Sequence, residues 1–233
     1  MKSGKCLVVC IVFMFLVFQG YSQNIANEYL DAVYNKLEKV KDYSVQANIK
    51  VDMPFIRMIP VNVKIYFKQK GKFKVESKSI AIVPRQGFDQ LSGILADIRM
   101  YTAVVQGEEK IGEIQTTMVN VIPLSDTSDI ILGKFWIDPV QKLILRSQLT
   151  TKSNGTIGTD YTYGSQATFG LPDAMTFSVD VRKFKMPKVM TSNVAVEDKE
   201  KGKKNNEKKK GKIIIILSNY KVNMGVPDSV FKK

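Results

Sequence analysis

The stretch KFWIDPVQKLILRSQLTTKSNGTIGTDYTYG, residues 134–164, decides the fold class of this chain. Side chains at every second position of an extended chain point to the same side. Before the turn, that side is mostly apolar: Leu143, Leu145, Ser147 and Leu149. After Asn154-Gly155, a pair that favours a tight turn, the alternation resumes: Ile157, Thr159, Tyr161 and Tyr163. The pattern predicts a β-hairpin with one apolar face, so the rest of the chain must supply a cover for that face.

The residues that follow the N-terminal region predict one helix and a three-stranded meander. Apolar residues recur at helical spacing within Ile25–Asp42: Leu30, Val33, Tyr34, Leu37 and Val40. Strict alternation then predicts strands over Tyr43–Met53 and Val61–Lys68, and a turn at Lys70-Gly71 leads to a third strand over 73–77. Strands joined by short turns pair antiparallel and leave one face in water.

The segment Ile80–Arg99 interrupts this rhythm. Pro84 and Gly87 break an apolar loop, and Phe88, Leu91 and Leu95 then recur at helical spacing, which predicts a short helix. Alternation beyond it predicts further strands, near Tyr101–Gln106, Lys110–Thr117, Met118–Pro123, Ile130–Ile137, 175–181 and Ile213–Asn223.

The predicted helices are too small to cover the predicted sheet. Roughly ten strands at about 4.8 Å spacing give a sheet about 48 Å wide. A helix of about 18 residues is about 27 Å long and about 10 Å across. The sheet must therefore curl around the helices, pack against itself or leave an apolar hollow.

The first 22 residues predict a secretory signal peptide. A basic start precedes a short apolar run over Cys6–Phe18, and small residues follow it. A membrane-spanning helix needs about 20 apolar residues, more than this run has. We expect cleavage after Ser22, a mature chain that begins at Gln23, and a periplasmic location.

The residue types exclude several kinds of chemistry. Both cysteines, Cys6 and Cys10, lie in the predicted signal peptide, and the sequence contains no histidine. The mature chain therefore lacks thiol and imidazole nucleophiles and the usual ligands of zinc and haem. We expect a protein that is not an enzyme and has no cofactor and no metal site. An enzyme that uses carboxylates such as Asp138 and Asp160 is an alternative, although no paired arrangement surrounds them.

The chain is basic, with a formal net charge of +13. A low-complexity stretch over Glu197–Lys212 holds eight lysines and four acidic residues, within a loop predicted at about 185–212. One interpretation is a solvated loop, and another is transient contact with an anionic membrane surface. Aromatic residues for base stacking are not interleaved with these lysines, so we expect no nucleic-acid partner. We also expect a monomer.

Three stretches together resemble the lipoprotein-carrier superfamily of the periplasmic carrier LolA and its receptor LolB. They are IYFKQKGKFKVES (65–77), WIDPVQKLILRSQLTTKSNG (136–155) and NYKVNMGVPDSVF (219–231). The resemblance implies an α+β, mostly β fold, in which a curved antiparallel sheet forms an open half-barrel closed by the N-terminal helix and a short lid helix. It implies a single lipid-binding domain over 23–233 that shelters lipoprotein acyl chains, or another apolar ligand, during sorting to the outer membrane.

The resemblance also implies a set of cavity and lid residues. The candidate cavity residues lie on the predicted strands: Val45, Ile49, Val63, Ile65, Phe67, Phe73, Val75, Leu143, Leu145, Tyr161 and Phe177. The candidate lid residues lie within Ile80–Leu95: Ile82, Val83, Phe88, Leu91 and Leu95. Carriers have Arg-Pro after the second strand, where the arginine latches the lid, whereas this chain has Gln69 and Lys70.

Two alternatives to acyl-chain carriage remain at the level of the sequence. The apolar stripes can form an ordinary packed core that needs no ligand. The same fold can also serve as an envelope sensor or interaction module that transports no lipoprotein.

Overall fold

The computed structural model describes residues 25–53, 56–77, 95, 97–153, 155–180 and 210–232. The predicted signal peptide, the lid residues Ile82, Val83, Phe88 and Leu91, and most of the basic loop lie outside these residues. Residues 25–38 are helical, and Lys39 lies in a turn. The helix therefore ends before the predicted Asp42, which is the first residue of a strand.

The described residues contain eleven strands. They are β1 (Asp42–Met53), β2 (Ile56–Arg57), β3 (Val61–Lys68), β4 (Lys72–Ser77), β5 (Tyr101–Ile111), β6 (Ile114–Pro123), β7 (Ile130–Asp138), β8 (Leu143–Thr151), β9 (Gly155–Thr162), β10 (Ala174–Asp180) and β11 (Lys210–Val222). Short 3₁₀ turns span Ile98–Met100, Ala167–Phe169 and Asp228–Phe231.

The strands form one antiparallel sheet in the order β4-β3-β1-β11-β10-β9-β8-β7-β6-β5, and β2 pairs with β1 beside this path. Within the described residues the sheet stays open, because β4 and β5 lie at its two ends and do not pair with each other. The mostly β fold with an open antiparallel sheet and an N-terminal helix is thus confirmed, as is the β1-β3-β4 meander.

One face of the sheet, which we call the inner face, carries the apolar core. The helix packs there through Ala26, Leu30 and Val33, which are spaced by about one turn and lie at most 5% exposed. Facing strand residues complete the cluster, among them Phe135 and Ile137 of β7 and Ile213, Ile215 and Leu217 of β11. Burial on alternate strand positions therefore fixes which face is inner.

Strands β5 and β6 differ from the sequence prediction. Three short strands were expected between Tyr101 and Pro123, but two long ones occur, joined by a turn at Gly112. A bulge between Val105 and Gly107 lets β5 continue through a glycine with φ of 149°. In sequence, a glycine within a strand looks like the end of that strand. Here the bulge accommodates the glycine, so the strand continues past it.

A second bulge changes the side-chain alternation predicted for the hairpin within residues 134–164. Trp136 pairs with Arg146 while Ile137 pairs with Ile144, so Leu145 is an extra residue in β8. The alternation shifts at this point, and Ile144 joins the core cluster while Leu145 stays half-buried. The prediction that Leu145 shares a face with Ser147 and Leu149 is therefore wrong, because a bulge adds one residue to the period of two.

Candidate functional site

The inner face brings most of the candidate cavity residues together. Val45, Ile65 and Val75 lie directly opposite one another on β1, β3 and β4. Five further candidates belong to the core cluster: Ile49, Val63, Leu95, Tyr161 and Phe177. Phe67 and Phe73 are half-buried and pack against it. The sheet thus presents a mostly apolar surface to the helix, interrupted by the buried Ser147 and Thr159, as expected of a face that either packs as a core or receives apolar ligands.

A narrow cleft separates the helix from β8 and β9. Its lining residues are Val33, Leu37, Lys142, Leu143, Ile144, Tyr161, Tyr163 and Gly170. The cavity volume is about 10 Å³, which is room for about one water molecule. Two candidates, Leu143 and Tyr161, therefore face a space that an acyl chain enters only if the helix moves away from the sheet.

Three tyrosine hydroxyls in or beside the apolar core are bound within the protein. Tyr161 hydrogen-bonds Ser147 at 2.9 Å between their hydroxyl oxygens. The Tyr163 hydroxyl donates to the carbonyl oxygen of Ile144 at 2.9 Å, and the Tyr220 hydroxyl donates to that of Pro172 at 2.9 Å. Burial raises the pKa of Tyr161 to about 12, so its hydroxyl stays neutral at physiological pH. These side chains therefore add no charge to the inner face.

Gln69, the predicted latch position, contacts the N-terminal helix. Its Nε2 donates to the carbonyl oxygen of Glu38, in the last turn of that helix, at 2.9 Å. Asn223 reinforces the same end, since its Nδ2 donates to the carbonyl oxygen of Lys39 at 2.9 Å and its Oδ1 accepts from the backbone N–H of Lys41 at 2.7 Å. Polar contacts therefore hold the C-terminal end of the helix, and apolar packing holds its N-terminal half. A latch between Gln69 and a lid over 80–95 stays a prediction.

The sequence did not reveal what β11 contributes to the inner face. This strand inserts between β1 and β10, where Ile213 pairs with Val51 and Phe177, and Ile215 pairs with Ile49 and Met175. Four consecutive isoleucines marked a buried strand, but their run has no alternation to show which of them face inward. Ile213 and Ile215 do so, and Ile216 is 53% exposed on the other face.

The two carboxylates considered for an enzyme have structural contacts. Asp138 Oδ1 accepts from the backbone N–H groups of Val140 and Gln141 in the β7–β8 turn. Asp160 Oδ1 accepts from Arg146 Nε at 2.6 Å. In the described part of the chain, no group of three or more acidic, cysteine or histidine side chains is placed to hold a metal ion. No helix among those residues is long and apolar enough to span a membrane.

Three solved structures share this architecture. A DUF1329 family protein from Desulfovibrio piger has a TM-score of 0.58 at 13% identity, covering 91% of this chain and 97% of that one. A domain described as an outer membrane lipoprotein-sorting protein, from Vibrio parahaemolyticus, has a TM-score of 0.56 at 9% identity, covering 88% and 97%. A LolA superfamily protein from Nitrosomonas europaea has a TM-score of 0.52 at 11% identity, covering 89% and 97%.

The fold of this chain is LolA-like. The likeness covers 88–89% of this chain in the two lipoprotein-sorting and LolA superfamily structures, and it confirms the predicted resemblance in fold. No family model matches the sequence, and no curated protein matches it. At these identities the LolA-like likeness shows the fold alone, so ligand and activity must be argued from the site.

Proposed function

We propose that this chain is a periplasmic binding protein that shelters lipoprotein acyl chains, or another apolar lipid, against the inner face and takes part in lipoprotein sorting to the outer membrane. The supporting observation is the mostly apolar inner face of an open, LolA-like sheet beneath one helix. In this proposal residues 1–22 are removed and 23–233 form one lipid-binding domain.

Acyl chains need such a shelter because their transfer through water is costly. Each methylene group exposed to water costs about 0.8 kcal/mol. A lipid with two or three long chains therefore faces a barrier of tens of kcal/mol if it crosses water unaided. A protein that covers those methylene groups with apolar side chains removes most of this barrier, and it needs no catalytic group.

Entry of a ligand requires movement of the helix in this proposal. The cleft beside Val33 and Leu37 holds about 10 Å³, far less than one acyl chain occupies. The helix is held by hydrogen bonds at Glu38 and Lys39, whereas its other end has mainly apolar contacts that acyl methylene groups can replace. We infer that the helix swings about its C-terminal end. A lid over Ile80–Leu95 with Ile82, Val83, Phe88 and Leu91 facing inward remains part of the proposal.

In this proposal the basic stretch over Glu197–Lys212 contacts an anionic membrane surface. Deleting residues 197–209 removes six of the lysines together with four acidic residues, and should weaken salt-sensitive binding to vesicles that contain phosphatidylglycerol. Each lysine near an anionic surface contributes about 1 kcal/mol, and salt screens that attraction. Cosedimentation with vesicles at low and high salt measures it.

The urea midpoint of the same deletion variant is the control, and it should stay unchanged because β10 and β11 remain intact. Vesicle binding that the deletion leaves unchanged would remove the membrane contact from the proposal.

Mass spectrometry of the chain recovered from a periplasmic extract tests the proposed function. We expect acyl lipid to copurify with the chain, because the inner face offers it apolar surface that water does not.

A further inference from the structure

One buried tyrosine on the inner face differs from the others. Tyr101 begins β5 and is 4% exposed, within the same apolar cluster as Leu30 and Leu95. The hydroxyl groups of Tyr161, Tyr163 and Tyr220 have partners, but that of Tyr101 has none within the described residues. A buried hydroxyl without a hydrogen bond is unfavourable, so a ligand that brings an acceptor to it gains a favourable contact.

The position of Tyr101 fits a contact with a ligand. It begins β5, the strand at one end of the sheet. Asp31 of the helix lies close enough for its charge to act on the hydroxyl. The group therefore lies between the helix and the last strand of the sheet, where movement of the helix would open the inner face.

A second unpaired polar atom belongs to the same helical surface. Oδ1 of Asn27 is buried without a hydrogen-bond partner in the described part of the chain. Asn27 precedes Asp31 by four residues, so the two side chains share one face of the helix. The strand therefore carries one unused donor at Tyr101, and the helix face that includes Asp31 carries one unused acceptor at Asn27.

The charges around Tyr101 restrict the ligand. Burial, with Asp31 and Asp97 nearby, raises the pKa of Tyr101 to about 12, so the hydroxyl is a neutral donor at physiological pH. The Asp31 carboxylate repels a phosphate or carboxylate group placed against the hydroxyl, whereas Arg99 balances the charge of Asp97 through an ion pair at 2.8 Å. The complementary group is a neutral oxygen acceptor on an apolar chain.

We propose that the Tyr101 hydroxyl donates a hydrogen bond to the ester or amide carbonyl oxygen of a bound acyl chain. Asn27 Oδ1 accepts from an N–H or O–H group of the same ligand. Tyr101 thereby sets the depth at which the head of the lipid stops and selects carbonyl-linked acyl chains over plain hydrocarbon or free fatty acid. This inference rests on the proposed function and names the ligand class of the same face.

The test compares three lipids of equal chain length: monododecanoylglycerol, its dodecyl ether analogue without the carbonyl group, and dodecanoate. Their displacement of fluorescent N-phenylnaphthylamine from the full mature chain gives their affinities. One hydrogen bond contributes a factor of about five, so the ester should bind about fivefold more tightly than the ether, and dodecanoate should bind least tightly. Tyr101→Phe should remove the preference for the ester over the ether.

Tyr220→Phe is the matched control, because its hydroxyl is bound to the Pro172 carbonyl oxygen inside the protein. It should keep the preference for the ester and lower the urea midpoint. Tyr101→Phe without ligand should equal or exceed the wild-type midpoint, because it removes an unpaired hydroxyl.

Two results would overturn the inference: an ester preference that survives Tyr101→Phe, or a midpoint lowered as much as by Tyr220→Phe. Wild-type chain that binds none of the lipids would instead refute the proposed function, and the inference with it.

Discussion

Replacing Phe177 by alanine is expected to lower the free energy of unfolding by about 3–5 kcal/mol. Phe177 is 1% exposed at the centre of the sheet, between Thr159 of β9 and Ile213 of β11. Truncation removes a large buried side chain and leaves a cavity that flanking strands cannot close, because their backbones are hydrogen-bonded on both sides. Urea denaturation monitored by circular dichroism measures the change.

The neighbouring Thr176→Ala is the control for that experiment. Thr176 lies on the opposite face of the same strand and is only half-buried, so its truncation should change the free energy of unfolding by about 0.5 kcal/mol or less. Equal losses for the two variants would mean that the core does not lie on the inner face.

A disulfide between residues 36 and 170 is expected to abolish lipid binding while it is oxidised. A Cβ atom built at Gly170 would lie 3.6 Å from the Cβ of Lys36, within the range of natural disulfides. Leu37 and Gly170 both line the cleft, so the bond would hold the helix against the segment between β9 and β10 and keep the cleft from widening. Displacement of N-phenylnaphthylamine by monododecanoylglycerol, before and after reduction with dithiothreitol, measures the effect.

A chain that begins at Gln23 has no other cysteine, so no competing disulfide can form within it. Gly170 has φ of 68°, so its cysteine variant should be less stable by about 1–2 kcal/mol in both redox states. The single variants Lys36→Cys and Gly170→Cys, treated with the same oxidant, separate that strain from the crosslink. Full lipid binding by the oxidised double variant would refute widening of this cleft as the route of entry.

Local periodicity explains why much of the fold could be predicted from the sequence. The residues of β1, β3 and β4 alternate without interruption, and the structure confirms their meander and the burial of Val45, Ile65 and Val63. The apolar residues of the N-terminal helix recur at 3.6-residue spacing, which a single window of sequence reveals.

Features that depend on distant parts of the chain could not be predicted in this way. The pairing of β11 with β1 joins residues more than a hundred positions apart, and neither strand carries a local sign of it. The bulge at Leu145 likewise comes from pairing with β7, since the sequence of β8 alone reads as regular alternation. Hydrogen bonding at the site also depends on how the helix lies on the sheet. That placement brings Gln69 to Glu38, and it leaves the Tyr101 hydroxyl without a partner in the described residues.

The most direct test of acyl-chain shelter is the native mass of the chain. The protein is purified from periplasm without detergent and measured by native mass spectrometry, both as isolated and after incubation with a synthetic lipopeptide that carries three acyl chains. We predict adducts with the masses of acyl lipids on the isolated chain, replaced by the lipopeptide after incubation and absent after solvent extraction. A bare polypeptide mass in both samples would contradict the account and leave the inner face an ordinary packed core.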